Sequence, residues 1–265
     1  MLQLIQQLIL LIGTLTGAIT DIKTGYIYDW ITYPMILLGI ILSISQGQTN
    51  NLLYAGILFA VFFLAYKFGK LGGGDVKIFA GICLLNPYNN INFLATTIFS
   101  AALMSMIFYS AYYTIRYARK GLSVKKNKEG IIKAGIMEII LITYLGLMAH
   151  YEALQMQTAF LLGIIFSLGM VFVALQKEIK KEFFDKKIRL TEIEEDEIIS
   201  QNNNQTILKL LKGKELIEKR EIELLKKTKI TEIIVLRNLP KFGPFILLGV
   251  IIGTMYPDLI IKLLF

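Results

Sequence analysis

Long apolar segments separated by short polar connections are the main pattern along this chain. Eight segments consist largely of aliphatic and aromatic residues: 2–20, 30–46, 51–66, 76–87, 91–115, 131–149, 156–175 and 242–264. Several of them reach the ~20 residues that a helix needs to cross a bilayer. They are apolar on every face, whereas a helix of a soluble protein alternates apolar with polar positions at a period of 3.6. The pattern predicts an all-α, polytopic membrane helix bundle.

The fourth segment, 76–87, is shorter than an ordinary span. It follows three glycines and ends at Asn86-Pro87. Two forms remain open for it: a tilted short span, or a re-entrant helix whose backbone is buried within the protein. The first segment, 2–20, has no basic region before it and no small-residue cleavage pattern. We therefore expect a retained anchor rather than a removed signal.

One long polar stretch, residues 176–241, interrupts this pattern and is called the insert below. It divides the chain into a membrane bundle, residues 1–175, and a C-terminal transmembrane helix, residues 242–265. The bundle would carry the candidate catalytic residues.

Apolar residues inside the insert have helical spacing, for example Ile207, Leu210 and Leu211. The spacing predicts helices over 176–199 and 205–237, separated by a loop or mobile linker at 200–205. We expect a charged helical hairpin that packs on the cytosolic face of the bundle. Contact with a substrate or partner is the alternative.

The charged residues alternate from one connection to the next. The chain is 55 % apolar and has a net charge of +8, with a mean hydropathy of +0.58. Connections at 47–51, 88–90 and 150–155 lack Lys and Arg, whereas the others contain them. Because cytoplasmic connections are enriched in Lys and Arg, this predicts a multi-pass protein of the cell membrane with its N-terminus outside. The insert and the connections that contain Lys or Arg would be cytosolic. Lys262, near the far end of the last apolar segment, is the one basic residue that does not fit this pattern.

Several function classes are disfavoured by composition. The single cysteine, Cys83, and the single histidine, His150, provide neither a disulfide framework nor the ligands of a metal cluster. The insert holds 15 Lys and Arg before position 241 against 13 Asp and Glu, so it is nearly neutral. Near-neutrality argues against a nucleic-acid surface. We expect no metal, no cofactor and no nucleic-acid partner.

Two aspartates stand at membrane boundaries on the expected cytosolic side. Asp21 ends the first apolar segment, and Asp75 follows Gly72-Gly73-Gly74. An ionisable group at membrane depth costs at least ~2.5 kcal/mol, and it usually faces a protein interior or a wet cavity. Two carboxylates that converge on one water can cleave a peptide bond, because one takes the proton of the water while the other, protonated, polarises the carbonyl. The glycines would leave room for an extended peptide.

Other readings of these residues come from different classes of protein. A glycine-rich phosphate loop would need the order Gly-Lys-Ser/Thr, which is absent. A transporter would place its carboxylates near mid-span, often in repeated halves. A pilus-assembly scaffold would use the insert for docking and would not need the aspartates. For Asp21 alone, a helix cap is the structural alternative.

The segment Gly72-Gly73-Gly74-Asp75-Val76-Lys77, together with Thr20-Asp21-Ile22-Lys23 and Ile27, closely resembles a known family. These are the GxGD membrane aspartyl proteases that mature type IV prepilins and archaeal preflagellins (prearchaellins). GxGD alone is shared with presenilin-like proteases. The resemblance rests on Asp21 after the first span, a Lys two residues beyond each Asp, and the short apolar helix after Asp75. It covers the first ~90 residues well and the span pattern loosely.

The resemblance implies roles for individual residues. Asp21 and Asp75 would be the catalytic pair, and Gly72 and Gly74 the motif glycines at which substrate approaches. Lys23 and Lys77 match positions that are commonly basic in the family, and they are equally well explained as positive-inside residues. Asp29 is a candidate accessory carboxylate at the edge of the site, with a solvated helix cap as the alternative.

The resemblance also implies an activity. The chain would be an aspartic endopeptidase that removes short N-terminal leader (class III signal) peptides from archaeal type IV pilin-like precursors at the cytosolic membrane face. A preflagellin client and a non-enzymatic membrane role are the alternatives. Bacterial members carry an N-terminal insert with paired CxxC motifs and methylate the new terminus. This chain has one cysteine, so we expect no methyltransferase activity. Compared with the preflagellin peptidases of this family, the chain has two extra apolar segments, 131–149 and 156–175.

Overall fold

The computed structural model describes residues 1–211, 214–228 and 230–264. Every one of the eight apolar segments is helical. The helices of the membrane part are α1 (Leu2–Thr24), α2 (Asp29–Ser45), α3 (Thr49–Lys67), α4 (Gly73–Leu84), α5 (Ile91–Ala118), α6 (Val124–His150) and α7 (Met156–Ile179). After the insert follow α10 (Gly243–Met255) and α11 (Leu259–Leu264). The predicted all-α polytopic bundle is confirmed.

The helices differ in whether they could cross a membrane alone. Among the described residues, five helical stretches are long and apolar enough: α1, α3, α5, α6 and Met156–Phe184. The last includes one wide turn, Lys180–Phe184, that continues α7. Helices α2 and α10 are apolar but shorter, with 17 and 13 residues. The expected segments are therefore all present, and five of them have the full length of a span.

Helix α4 lies at the centre of the main hydrophobic core. It packs against α2 and α3 and touches α1, and its residues from Ile78 to Leu85 are buried on every face. With 12 residues it is about 18 Å long, well short of a ~30 Å hydrocarbon core. Its backbone is enclosed by protein, which is the condition for a short helix at membrane depth.

Polar side chains from neighbouring helices satisfy the backbone where α4 ends. The Ser43 hydroxyl donates to the Leu84 carbonyl at 2.7 Å. The Asn51 amide donates to the Asn86 carbonyl at 2.8 Å. Carbonyls at the end of a helix have no partner within the helix, and leaving them unpaired in an apolar environment is costly. These contacts fix the depth at which α4 stops, and so the depth of its first residues.

Helices α6 and α7, which contain the two extra apolar segments, lie outside this core. They pack against each other, and α7 packs against α5. Their shared cluster consists of Leu145, Leu154, Ala159 and Leu162. The core around α4 is therefore complete without them.

The prediction that the insert is a helical hairpin is wrong. It contains a three-stranded antiparallel sheet in the order β1-β3-β2, with strands β1 (Asp185–Arg189), β2 (Ile198–Ile199) and β3 (Glu232–Leu236). In register, Asp185 pairs with Leu236 and Ile198 also pairs with Leu236. Two short helices, α8 (Gln205–Leu210) and α9 (Lys219–Lys226), cover the sheet over an apolar core. Burial alternates along β3, which is typical of a strand with one covered face.

The segment after Ser200 is a loop, as predicted, and it is hydrogen-bonded to the sheet. Asn203 is buried and donates to the Ile234 carbonyl at 2.6 Å and the Ser200 carbonyl at 2.8 Å. Its side-chain oxygen accepts from the Ile234 N–H at 2.8 Å. One amide side chain thus extends the hydrogen bonding of β3.

The predicted continuous C-terminal helix is interrupted. Helix α10 ends at Met255, Pro257 lies between, and α11 begins at Leu259. Proline has no N–H to donate and its ring obstructs the preceding turn, so the helix stops there. The Thr96 hydroxyl donates to the Pro257 carbonyl at 2.7 Å, which holds the break against α5. Residue 265, the last of the predicted helix, lies outside the described residues.

Candidate active site

Asp21 occupies the last turn of α1 with its side chain turned into the protein. Only 6 % of the residue is exposed. The helix ends three residues later at Thr24, and Gly25 follows with a left-handed φ of 80° and an N–H that donates to the Asp21 carbonyl at 2.8 Å. Glycine adopts this conformation without strain, and it is the usual end of a helix. The sequence thus places a carboxylate just inside a sharply ended helix.

The beginning of α10 binds the Asp21 carboxylate. The Gly243 N–H donates to Asp21 Oδ2 at 2.8 Å in a buried contact. A Cβ atom on Gly243 would lie 2.9 Å from both Cβ and Oδ2 of Asp21, so only glycine permits this approach. Pro244 follows in the first helical turn, where its missing N–H costs nothing. Helix N-termini carry partial positive charge, which suits a carboxylate.

Two further residues fasten the beginning of α10 to the bundle. The Tyr109 hydroxyl on α5 donates to the Lys241 carbonyl at 2.7 Å and accepts from the Lys241 N–H at 2.8 Å. The Lys241 ammonium donates to the Ile22 carbonyl, beside Asp21. Gly243 is therefore held in place by α5 on one side and by the end of α1 on the other.

Asp75 lies in the first turn of α4, and its carboxylate turns back over Gly72. A Cβ atom on Gly72 would stand 3.0 Å from Asp75 Oδ2, and the carboxylate interacts with the Gly72 backbone. Gly72 has an extended conformation and immediately precedes the helix. Because Gly72 has no side chain, the Asp75 carboxylate can occupy this position.

Gly74 brings Asp75 close to the chain that follows Asp21. A Cβ atom on Gly74 would meet the Ile27 carbonyl oxygen at 2.8 Å and the Ile27 Cβ at 3.0 Å. Ile27 belongs to the turn between α1 and α2. Deeper in the bundle, Gly17 of α1 leaves room for Ile78 of α4, since its Cβ would lie 2.9 Å from Ile78 Cδ1. Contacts at small residues thus bring the aspartate-bearing ends of α1 and α4 together.

The two carboxylates are brought into one site. Asp75 lies within electrostatic range of Asp21, although 54 positions separate them in the chain. Three elements meet here: the end of α1, the beginning of α4 and the beginning of α10. Among the described residues, no group of three or more His, Cys, Asp or Glu side chains is arranged to hold a metal ion.

The other charged candidates lie at the edge of this site. Lys77 forms an ion pair with Asp29 at 2.6 Å, and its ammonium lies 5.0 Å from the centre of the Tyr33 ring. Lys23 is exposed in the last turn of α1. Asp29 is therefore engaged by Lys77 rather than by the aspartate pair. An accessory role for Asp29, and roles for both lysines, stay predictions.

Sequence reasoning did not find Gly243, Lys241 or Tyr109. The signal that could have drawn attention was Lys241-Phe242-Gly243-Pro244 at the beginning of the last apolar segment. A Gly-Pro pair at that point predicts a helix start. Nothing local indicates that this helix start meets a carboxylate 222 positions earlier.

Comparison with known proteins bears on this part of the chain. Residues 8–114 match the peptidase A24 family model, described as the type IV leader peptidase family. No curated protein and no solved structure matches the chain. The matched residues include Asp21, Asp75 and the glycines between α3 and α4, and they end inside α5. The resemblance seen in the sequence is thereby confirmed over residues 8–114, which are similar to the type IV leader peptidase family.

Proposed function

We propose that this protein is a membrane-embedded aspartyl endopeptidase. It would remove short N-terminal leader peptides from archaeal type IV pilin-like precursors at the cytosolic membrane face, with prearchaellins as the alternative client. The observation that carries the proposal is the meeting of Asp21 and Asp75 in one site, next to the glycines of the Gly-Gly-Gly-Asp motif. The match of residues 8–114 to the type IV leader peptidase family supports a peptidase of this type.

The mechanism would use the two carboxylates as a unit. Two interacting carboxylates favour a state that holds one proton between them. The ionised partner takes a proton from a water molecule, which attacks the scissile carbonyl, while the protonated partner donates to the carbonyl oxygen. When the tetrahedral intermediate collapses, the C–N bond breaks, the leaving nitrogen receives the proton taken from water, and the other carboxyl group recovers its proton. Because the pair titrates together, base and acid are assigned to the pair rather than to one residue. The Gly243 N–H fixes the orientation of the Asp21 carboxylate throughout.

The position of the site supports a cytosolic reaction. The carboxylates lie at the end of the bundle that carries the insert, where Lys241 reaches Ile22. Connections at this end are rich in Lys and Arg, which is typical of the cytoplasmic side. A precursor would keep its hydrophobic helix in the bilayer and present its leader at this face.

A basic leader peptide would meet negative charge at this site mainly from the aspartate pair. Asp29 is paired with Lys77, so its charge is largely offset. The negative charge available to a basic leader would come from the aspartate pair itself. This would draw the leader toward the reacting groups rather than toward the edge.

The test is cleavage of a co-expressed prepilin or prearchaellin in membranes. Asp21→Asn and Asp75→Asn should each abolish cleavage, with a loss of about 1,000-fold or more, because the pair acts as a unit. Asp258→Asn is the matched control. Asp258 lies near the interruption between α10 and α11, where it accepts from Asn92, so its variant should cleave normally. Membrane abundance is measured for all three, and mass spectrometry should find the new N-terminus unmethylated.

Cleavage that survives in either site variant would overturn the two-aspartate mechanism. It would favour a transporter or a pilus-assembly protein, since those roles do not require the pair.

A further inference from the structure

The insert contacts the chain just before the Gly-Gly-Gly-Asp motif. Lys70 forms an ion pair with Glu215 at 2.5 Å, and Lys67 forms one with Glu218 at 2.8 Å. Both lysines lie at the end of α3 or immediately after it. Both glutamates belong to the insert, in the segment that leads into α9. These two ion pairs join the insert to the membrane bundle near Asp75.

Close packing accompanies the ion pairs. Gly69 has a φ of 67°, which places a tight turn after α3. A Cβ atom there would lie 3.7 Å from the Cβ of Glu215 and 3.9 Å from Ile198. On the same side, the Tyr66 hydroxyl interacts with the Asp196 carboxylate. The turn therefore rests on the insert through backbone, apolar and charged contacts together.

This turn joins α3 to the Gly-Gly-Gly-Asp motif and so bears on where Asp75 lies. Between Lys67, the last residue of α3, and Gly73, the first residue of α4, the chain has no regular structure and contains glycines at 69 and 72. A glycine-containing segment of this length has many conformations unless something outside it restricts them. Backbone hydrogen bonds from Gly69 to Tyr66 at 2.8 Å and from Lys70 to Ala65 at 2.9 Å supply part of that restriction. The contacts with the insert add to it.

The other end of the insert reaches Asp21. The chain leaves β3 at Leu236 and reaches Lys241 and Gly243 within a few residues. Lys241 donates to Ile22 and Gly243 to Asp21. The insert thus contacts the segment before Asp75 and continues directly into the residue that binds Asp21.

From this arrangement we infer that the insert is a clamp that sets the relative position of the two aspartates, with Glu215 and Glu218 as positioning residues acting through Lys70 and Lys67. The inference rests on the proposed function for its effect on cleavage. Its structural part, restriction of the turn at residues 68–72, is independent of any activity.

Reversal of one charge tests the clamp. In Lys70→Glu, repulsion from Glu215 should release the turn. Amide hydrogen exchange over residues 68–74 should then be about tenfold faster, as expected for local opening. The kcat for precursor cleavage should fall about fivefold with KM within about twofold, because positioning of the pair is affected more than substrate binding.

Reciprocal charges provide the rescue. Lys70→Glu combined with Glu215→Lys restores an ion pair, and both exchange and kcat should return to within about twofold of the wild type. Lys187→Glu is the matched control. Lys187 pairs with Glu232 inside the insert, and its side chain is 66 % exposed against 63 % for Lys70. This control should leave exchange and cleavage unchanged.

The outcomes separate the two proposals. Unchanged exchange in Lys70→Glu overturns the clamp, as does a loss of cleavage that the reciprocal charges do not restore. If the wild-type protein does not cleave the precursor, the proposed function fails while the exchange measurement still decides the clamp.

Discussion

At the scale of single residues, Gly74 is where the two halves of the site approach most closely. A Cβ atom on Gly74 would lie 2.8 Å from the Ile27 carbonyl oxygen. That oxygen belongs to the backbone and cannot rotate away as a side chain can. We expect Gly74→Ala to cost about 1–3 kcal/mol through overpacking. If the strain displaces Asp75, cleavage should fall about tenfold or more. Thermal unfolding and precursor cleavage in membranes measure the two effects.

The adjacent glycine is the natural control for that substitution. A Cβ atom on Gly73 would lie 3.4 Å from the Tyr66 ring, an ordinary contact distance. Gly73→Ala should therefore keep both stability and cleavage near wild-type values. Equal losses at the two positions would show that the motif is sensitive to helix-start flexibility rather than to the approach of Ile27.

The candidate catalytic residues could be predicted from the sequence, but the backbone contact that orients Asp21 could not. Asp21 and Asp75 are conspicuous because a charge next to an apolar segment is expensive, and because the glycines stand directly before one of them. Gly243 has no such signal. Its role depends on a backbone N–H, which every residue except proline has, and on a long-range contact.

At the scale of elements, the membrane helices could be predicted and the insert could not. An apolar run of about 20 residues has few structural solutions at membrane depth. In the insert, apolar residues are sparse and the elements are short, and short apolar runs do not distinguish a helix from a strand. The Ile233–Val235 alternation and the β-branched residues of β3 favour a strand. The residues of β3 follow soon after the charged α9, and the helix predicted over 205–237 includes both.

The Asn203 contacts predict how the insert responds to a small substitution. Asn203→Ala removes the acceptor of the Ile234 N–H and one of two donors to the Ile234 carbonyl, which also accepts from the Ser200 N–H at 3.0 Å. Leaving the Ile234 N–H unpaired should destabilise the insert by about 1–3 kcal/mol. Circular dichroism during thermal unfolding should show earlier loss of the strand signal.

Asn202 offers a comparison at the next position. It is exposed, and its amide donates to Asp185 at 2.7 Å at the surface. Asn202→Ala should change the unfolding midpoint far less than Asn203→Ala. A similar shift for both would mean that the loop itself, rather than its bonds to β3, limits stability.

At the scale of the whole molecule, attachment of the insert should depend on pH in a defined direction. Hydrogen bonding and charge from Lys67 hold the pKa of Glu218 below its ordinary value. Because the pKa of Glu218 is lowered in the attached state, attachment is at full strength above the ordinary Glu pKa of about 4.3. Attachment weakens as the pH falls through the lowered pKa of Glu218. Hydrogen exchange over residues 68–74, corrected for the intrinsic rate, should be constant from pH 8 to about pH 5 and rise below about pH 4.

Replacement of the cation is the control for this titration. In Lys67→Gln, Glu218 loses the partner that lowers its pKa, so the acid rise in exchange should be smaller. A transition near neutral pH in the wild type would assign the attachment to a group other than this ion pair.

The meeting of α1 and α10 at Asp21 also has a consequence for biosynthesis. Both aspartates have left the ribosome long before Gly243 is made, and the first one lacks its backbone partner until the last long helix has entered the bundle. A chain that stops before residue 243 therefore carries the aspartate pair without the backbone contact that orients Asp21. The geometry of the pair is set only when α10 has packed against the end of α1.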